Sequence, residues 1–247
     1  MSPFTVAQPA TRRTAWFKTT APAERPALSA DVAALIGDSY PRNHNYRIKA
    51  GRLAPSCRLA VRFKRTAALY PQPLTSLLDL SASKGYFVLE AAQRPGCERA
   101  LGIDAVQDTL AAASAVRDHL GLDNARFACL RLDALARKIG EFGGPFQTVL
   151  LINTYQYLYF GSDQSPWHFT THREIFSAMR QVTSERVIFH NRLELADCQT
   201  AVRKQAALSG RGATFSPAAI RTAAEEFFTI EVRGRLGRRP FWLMTPR

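Results

Sequence analysis

Long apolar runs are missing from this sequence. Nowhere do 18 consecutive residues read as a membrane span, although hydrophobic residues make up 46% of the 247. The apolar residues are therefore expected to fill a core of their own, with no membrane partner and a cytoplasmic location. The opening residues, MSPFTVAQPATRRTAWFK, lack the continuous apolar stretch of a secretory signal. Cysteines are few and scattered. Cys57, Cys97, Cys129 and Cys198 form no C-x-x-C pair, and no histidine spacing completes a zinc set. That pattern argues against a disulfide scaffold and predicts reduced thiols and no metal site. Acids are scarce as well: 20 Asp and Glu face 33 Lys and Arg, for a net charge of +13. The excess is uneven. Residues 1–74 hold 12 basic against 3 acidic side chains, residues 191–247 hold 10 against 5, and the stretch between holds 11 against 12. Basic flanks favour an anionic partner such as RNA or a phosphorylated molecule, although no nucleic-acid-binding module is recognisable.

What the chain does contain is an alternation of short apolar runs and helical patterns. Leu77 and Leu78 read as a buried strand ending at Asp79, followed by the small-residue loop Ser81-Ala82-Ser83-Lys84-Gly85 and a helix from Tyr86. A second strand, 100–103, ends at Asp104-Ala105. Residues 106–120 form an amphipathic helix closed by Gly121. A third strand, 125–132, runs into Asp133-Ala134, and a fourth, 146–152, opens at Asn153. Further on come a helix at 172–182, a strand at 186–190 and a helix at 217–227. Residues 228–234 and 240–245 are two strands joined by a turn rich in arginine (Arg235, Arg238, Arg239). So short a link forces a hairpin, since a parallel crossover takes a dozen residues or more. Upstream, residues 1–28 read as a flexible tail. Residues 29–73 read as a basic, helical extension or lid, with helices at 29–36 and 57–70.

In an open α/β sheet, ligands bind beyond the carboxyl ends of the strands, where the strand order reverses. Asp79, Asp104, Asp133 and Asn153 all fall at such ends. Any one of these acids alone would serve as a helix cap. Three at successive strand tips point to a nucleotide, with the acid after the second strand accepting hydrogen bonds from a ribose. A nicotinamide dehydrogenase shares this topology, but the incomplete glycine fingerprint and the terminal hairpin stand against it.

On these residues the chain resembles the class I methyltransferases that use S-adenosylmethionine, over roughly residues 75–245. The family's first motif, D-x-G-x-G-x-G, is similar to Asp79-Leu80-Ser81-Ala82-Ser83-Lys84-Gly85, with Ser81 and Ser83 in place of two glycines. A serine Cβ restricts positive φ and close backbone approach. The resemblance implies a three-layer α/β/α sandwich whose seven-stranded, mostly parallel sheet ends in an antiparallel hairpin, with residues 74–247 as the methyltransferase domain. It implies S-adenosylmethionine as cofactor, held by Asp79, Ser81, Ser83, Gly85, Asp104, Ala105, Asp133, Ala134 and Asn153. Asp104 would take the ribose hydroxyls, and Asp133 with Ala134 would face the adenine.

For the chemistry, the aromatic segment Asn153 to His168 lies beside the expected methyl site. Tyr155, His168 and His190 are candidate bases, with His172 a further histidine. Tyr157, Tyr159 and Trp167 are candidate walls for a planar acceptor, though such residues also pack helices onto sheets. His44 and Arg47 are candidates to reach in from the lid. The N-P-P-Y of amino-directed enzymes is reduced here to Asn153, and neither Cys129 nor Cys198 sits where a carbon-5 cytosine enzyme needs its nucleophile. A small-molecule acceptor is the favoured reading. RNA held by the basic flanks, or a non-catalytic binding protein on this fold, are the alternatives.

Overall fold

Leu77 and Leu78 are adjacent, both fully buried, and belong to opposite faces of one sheet. The same split separates Val149 from Leu150 and Val187 from Ile188, as the period of two along a strand requires. These strands are apolar at nearly every position because helices cover both faces. The structure, a computed structural model, describes residues 26–166 and 169–247. The expected tail therefore lies almost entirely outside the described residues.

The first elements are α1 (Ala30–Asp38), a small hairpin of β1 (Tyr46–Lys49) and β2 (Arg52–Pro55), and α2 (Cys57–Ala67). The α/β series follows as β3 (Ser76–Asp79), α3 (Tyr86–Ala92), β4 (Arg99–Asp104), α4 (Gln107–Leu120), β5 (Ala125–Cys129), α5 (Leu132–Arg137), β6 (Phe146–Ile152), α6 (Tyr155–Phe160), α7 (His172–Val182), β7 (Thr183–His190), α8 (Thr200–Ser209), α9 (Pro217–Glu225), β8 (Phe228–Leu236) and β9 (Arg239–Pro246). Seven strands lie in the order β5-β4-β3-β6-β7-β9-β8. The first five are parallel, and β9 runs antiparallel to both β7 and β8. This is the three-layer fold of class I methyltransferases that the sequence resemblance implied. The order reverses between β3 and β6, which opens a crevice beyond their carboxyl ends. No helix among the described residues is long and apolar enough to cross a membrane.

Local chemistry sets several boundaries. Gly121 ends α4 in the left-handed region, its N–H bonding Arg117 and Asp118 carbonyls. Thr171 and Glu174 form a reciprocal capping box at the start of α7. Ile36, Tyr46 and Leu59 of the N-terminal elements join the same core as Leu77 and Leu150, so this segment packs on one face of the sheet.

Between the two expected N-terminal helices, the stretch 46–55 is a hairpin, because Ala50 (φ 49°) and Gly51 (φ 71°) make the two-residue turn that suits paired strands. One expected strand needs correction. The third strand stops at Cys129, and Asp133 stands in the first turn of α5, since Leu132 turns inward and is fully buried. The aromatic segment after β6 is helical over Tyr155–Phe160, which form α6.

Candidate active site

The loop from Asp79 to Gly85 is stitched to both neighbouring strands. The Leu80 N–H donates to the Leu150 carbonyl, and the Ala82 N–H to that of Ile103, each at 3.0 Å. The Ser81 N–H donates to Asp79 Oδ1 at 3.0 Å, and its hydroxyl to the Ile152 carbonyl at 3.3 Å. Ser83 stands in the left-handed region (φ 48°), and its N–H donates to Asp104 Oδ2 at 2.8 Å. Asp104 Oδ1 accepts from the Val106 N–H at 3.1 Å, so this half-buried carboxylate closes the loop onto β4 and α4. Gly85 (φ 80°) has no room for a side chain: a Cβ there would lie 2.7 Å from both Ala113 Cβ and Phe127 Cζ. Gly102, beneath the loop, would meet Ala82 Cβ at 2.6 Å. The one glycine kept from the family's loop is thus the one the packing demands.

Asp79 is 3% exposed, and burial pushes its carboxyl up to about 7. The Ser81 N–H and Arg62 pull against that shift, and the Asp104 charge adds to it. A cation placed beside this carboxyl would favour its ionised form. The crevice at Asp79, bounded by His44, Arg62, Ser81, Lys84 and Ile152, is closed down to about 10 Å³, too little for a ligand. Its cover is the segment before β1. Lys84 Nζ donates to the Ser39 carbonyl (2.9 Å) and Asn45 Oδ1 (2.6 Å), while the Tyr46 hydroxyl donates to the Lys84 carbonyl (2.7 Å). Burial lowers the Lys84 ammonium to about 8. His44 lies within this cover, its Nε2 3.3 Å from Arg62 Nη1, and burial followed by the Arg62 and Lys84 charges lowers it to about 3. Arg47 is instead at the surface, paired with Asp38 at 3.2 Å, and lines no part of the crevice.

A second, open pocket of about 570 Å³ adjoins the first through Arg62. It is lined by Cys57, Arg58, Val61 and Arg62 of α2, by His190 and Asp197, and by Leu236 to Arg239 of the β8–β9 turn. His190 ends β7, buried, with its ring stacked 4.1 Å from Phe241. Its Nδ1 donates to the Pro240 carbonyl at 3.1 Å, which leaves Nε2 as the ring's acceptor. Burial, then the Arg239, Arg62 and Arg192 charges, lower it to about 4, against the opposing pull of the Pro240 bond, so it is neutral at physiological pH. Asn153 (φ 60°) accepts from Arg239 through its side-chain oxygen and donates its N–H to the His190 carbonyl at 2.9 Å. That ties the β6 tip to the pocket wall.

The other proposed residues are placed differently. Tyr155 is fully buried; its hydroxyl donates to His172 Nδ1 at 2.7 Å while His172 Nε2 donates to the Thr214 carbonyl at 3.0 Å. Rings of Phe176, Phe189 and Phe215 surround it, so it belongs to the core and not to a base position. Tyr159 stacks 4.1 Å from His172 and bonds Thr214, also in the core and away from either pocket. Tyr157 is half-buried, with its hydroxyl donating to Gln199 at 3.0 Å. Asp133 is held between Arg131 (3.0 Å) and Arg137 (3.1 Å), with Ala134 beside it on α5. Ala105 is exposed next to Asp104. Trp167 and His168 lie outside the described residues.

Several residues that build the site escaped the sequence reading. Buried Asn191 accepts from the Thr154 (2.7 Å) and Tyr155 (3.0 Å) N–H groups and donates to the Leu151 carbonyl (2.7 Å), fixing the start of α6. Arg58 and Arg62 carried a signal only in their spacing of four on one helix face. Lys84 was visible only as a filler in the loop.

Neither a protein-family model nor a curated protein matches the chain. Solved structures do share its fold. A crystal structure of the N-terminal domain of EvdMO1, determined in the presence of SAH and D-fucose, is 18% identical with a TM-score of 0.51, covering 82% of this chain and 91% of that one. Monomeric WbdD is 20% identical with a TM-score of 0.54 over 77% of this chain. The PH0226 protein from Pyrococcus horikoshii OT3 is 17% identical with a TM-score of 0.54, covering 78% of this chain and 92% of that one. The chain spans 43% of the longer EvdMO1 structure and 42% of the WbdD structure.

Proposed function

We propose that this protein is an S-adenosylmethionine-dependent methyltransferase acting on a small-molecule acceptor, with residues 29–73 as a lid and residues 74–247 as the methyltransferase domain. One observation carries the reading: Asp79 and Asp104 end adjacent parallel strands, Asp79 at the switch point of the sheet, with the Ser81–Gly85 loop bound between them. The EvdMO1 domain studied with SAH and D-fucose offers a small-molecule precedent on the same fold.

The donor, when bound, supplies a methyl group already activated on a sulfonium. Asp104, half-buried at the β4 tip, accepts from ribose hydroxyls with the lone pairs its two backbone bonds leave free. Asp79 would face the positive end of the ligand, whose charge would favour the ionised carboxylate with its proton released to solvent. Gly85 lets the loop close against Ala113 and Phe127, which fixes the backbone that would face the nucleotide. Asp133, with Ala134 and Ala105, stands on the adenine side. On the acceptor side His190, held in one tautomer by Pro240, receives a hydroxyl proton at Nε2. Positioning carries much of the remaining rate enhancement. Ser39, Asn45 and Lys84 must part for a ligand to reach Asp79, so binding is coupled to lid movement.

Titration calorimetry with S-adenosylmethionine and SAH tests this. Micromolar binding is expected, weakened at least about a hundredfold in Asp104→Ala, which removes a ribose acceptor and the loop's anchor together. Absence of binding by the unmodified chain would overturn the reading in favour of a non-catalytic protein on this fold.

A further inference from the structure

Four guanidiniums crowd one pocket with a single carboxylate to answer them. Arg58 and Arg62 sit four apart on α2, and Arg238 and Arg239 come from the β8–β9 turn. The pocket's one acid, Asp197, is already paired with Arg238 at 3.1 Å. Among the described residues Arg58, Arg62, Arg192 and Arg239 make no ion pair. Arg62 is 6% exposed, with neutral His44 3.3 Å from its guanidinium and the buried Asp79 carboxyl on its crevice side. Arg192, the next charge along from β7, acts on both Arg62 and Arg239, and its Nε is buried without a hydrogen-bond partner. Holding buried Arg62 and half-buried Arg239 beside each other without an anion opposes folding. Such an arrangement makes physical sense when an anion completes it.

We propose that this pocket binds the phosphate group of a small-molecule methyl acceptor, with Val61 and Leu236 against the acceptor's apolar part. The word acceptor rests on the methyltransferase reading; the anion site does not. Guanidinium forks match phosphate oxygens in pairs, which ammonium groups do not. A volume of about 570 Å³ suits a compact ligand, small-molecule sites spanning roughly 300–1,000 Å³. A nucleic-acid backbone would instead need an extended basic track. His190 lines the same wall, and Arg239 is bonded to Asn153 at the β6 tip. A phosphate held by the arginines therefore sets a neighbouring hydroxyl within reach of Nε2.

The probe is inorganic pyrophosphate, titrated into the full chain by calorimetry, with SAH titrated in parallel. Saturable one-to-one binding is expected. Arg58→Gln should weaken it roughly tenfold, and Arg58→Gln with Arg238→Gln roughly a hundredfold. Both positions are exposed, so the fold and SAH affinity should hold within about twofold. No pyrophosphate binding, or binding indifferent to both variants, overturns the proposal. So does a tRNA-sized RNA that binds with a steep salt dependence while pyrophosphate fails to compete. Pyrophosphate binding without SAH binding would overturn the methyltransferase reading and leave the anion site standing.

Discussion

The two sides of Arg62 are opposites. Toward the β3 tip lie two carboxylates, backbone donors and a crevice covered by the segment before β1. Toward the β8–β9 turn lie arginines, one paired acid and an open pocket. The proposed sulfonium donor and anionic acceptor would each meet a complementary charge in this arrangement. The difference also separates rigid from movable parts. The acidic side depends on tight contacts within the sheet and loop, whereas the basic side depends on long side chains at the surface. Added bulk in the loop should accordingly damage the fold on the first side, whereas loss of the exposed arginines should affect only ligand binding on the second.

The sharpest way to break that contrast is Gly85→Ala. The new Cβ would overlap Ala113 and Phe127 at 2.7 Å and hold a left-handed backbone. A loss of about 3–5 kcal/mol is expected, from overpacking and the positive φ together. Denaturant unfolding measures it, and a loss below about 1 kcal/mol would mean that the loop rearranges freely.

A middle-sized effect comes from Asp79. Its folded carboxyl, raised to about 7 from 3.8 by burial, holds a proton that the unfolded chain has released. Between these values the native state binds more protons, so stability must fall as pH rises from about 4 to about 7. The contribution is on the order of 4 kcal/mol. Asp79→Asn keeps the oxygen that accepts from Ser81 and stays neutral, so it should flatten that part of the profile and be the more stable form at pH 8. Thermal melts of both proteins from pH 4.5 to 8 decide it: parallel curves would mean that Asp79 is ionised throughout.

Much of the frame was legible because it is written locally. Residues 146–152 and 172–182 are apolar at strand and helix periods, and the structure has these elements with the same bounds. Asp79 and Asp104 stood out because each ends an apolar run. What failed depends on distant partners. Tyr155–Phe160 carries no cap of its own; Asn191 supplies it from beyond β7, 36 residues away from Tyr155. Tyr155 read as a candidate base until Phe176, Phe189 and Phe215 closed around it, and Tyr159 as a substrate wall until it stacked on His172. Arg62 reads as the polar face of an amphipathic helix, and the fold turns that face into the wall between two pockets.

The smallest expected effect tests the loop's departure from its family pattern. Ser83 holds φ 48° with a Cβ that disfavours it, at about 1 kcal/mol. Glycine would relieve this strain but free the unfolded chain by about 0.4–1 kcal/mol. Ser83→Gly should therefore change stability by less than about 0.5 kcal/mol and leave the N–H bond to Asp104 intact. SAH affinity should stay level or rise a few fold. Set beside Gly85→Ala, the pair separates two meanings of a glycine motif: Ser83 marks a position where glycine merely eases the backbone, and Gly85 one where any side chain collides. A loss above about 1 kcal/mol in Ser83→Gly would contradict that division, since it would show the serine side chain contributing more than its backbone strain takes away.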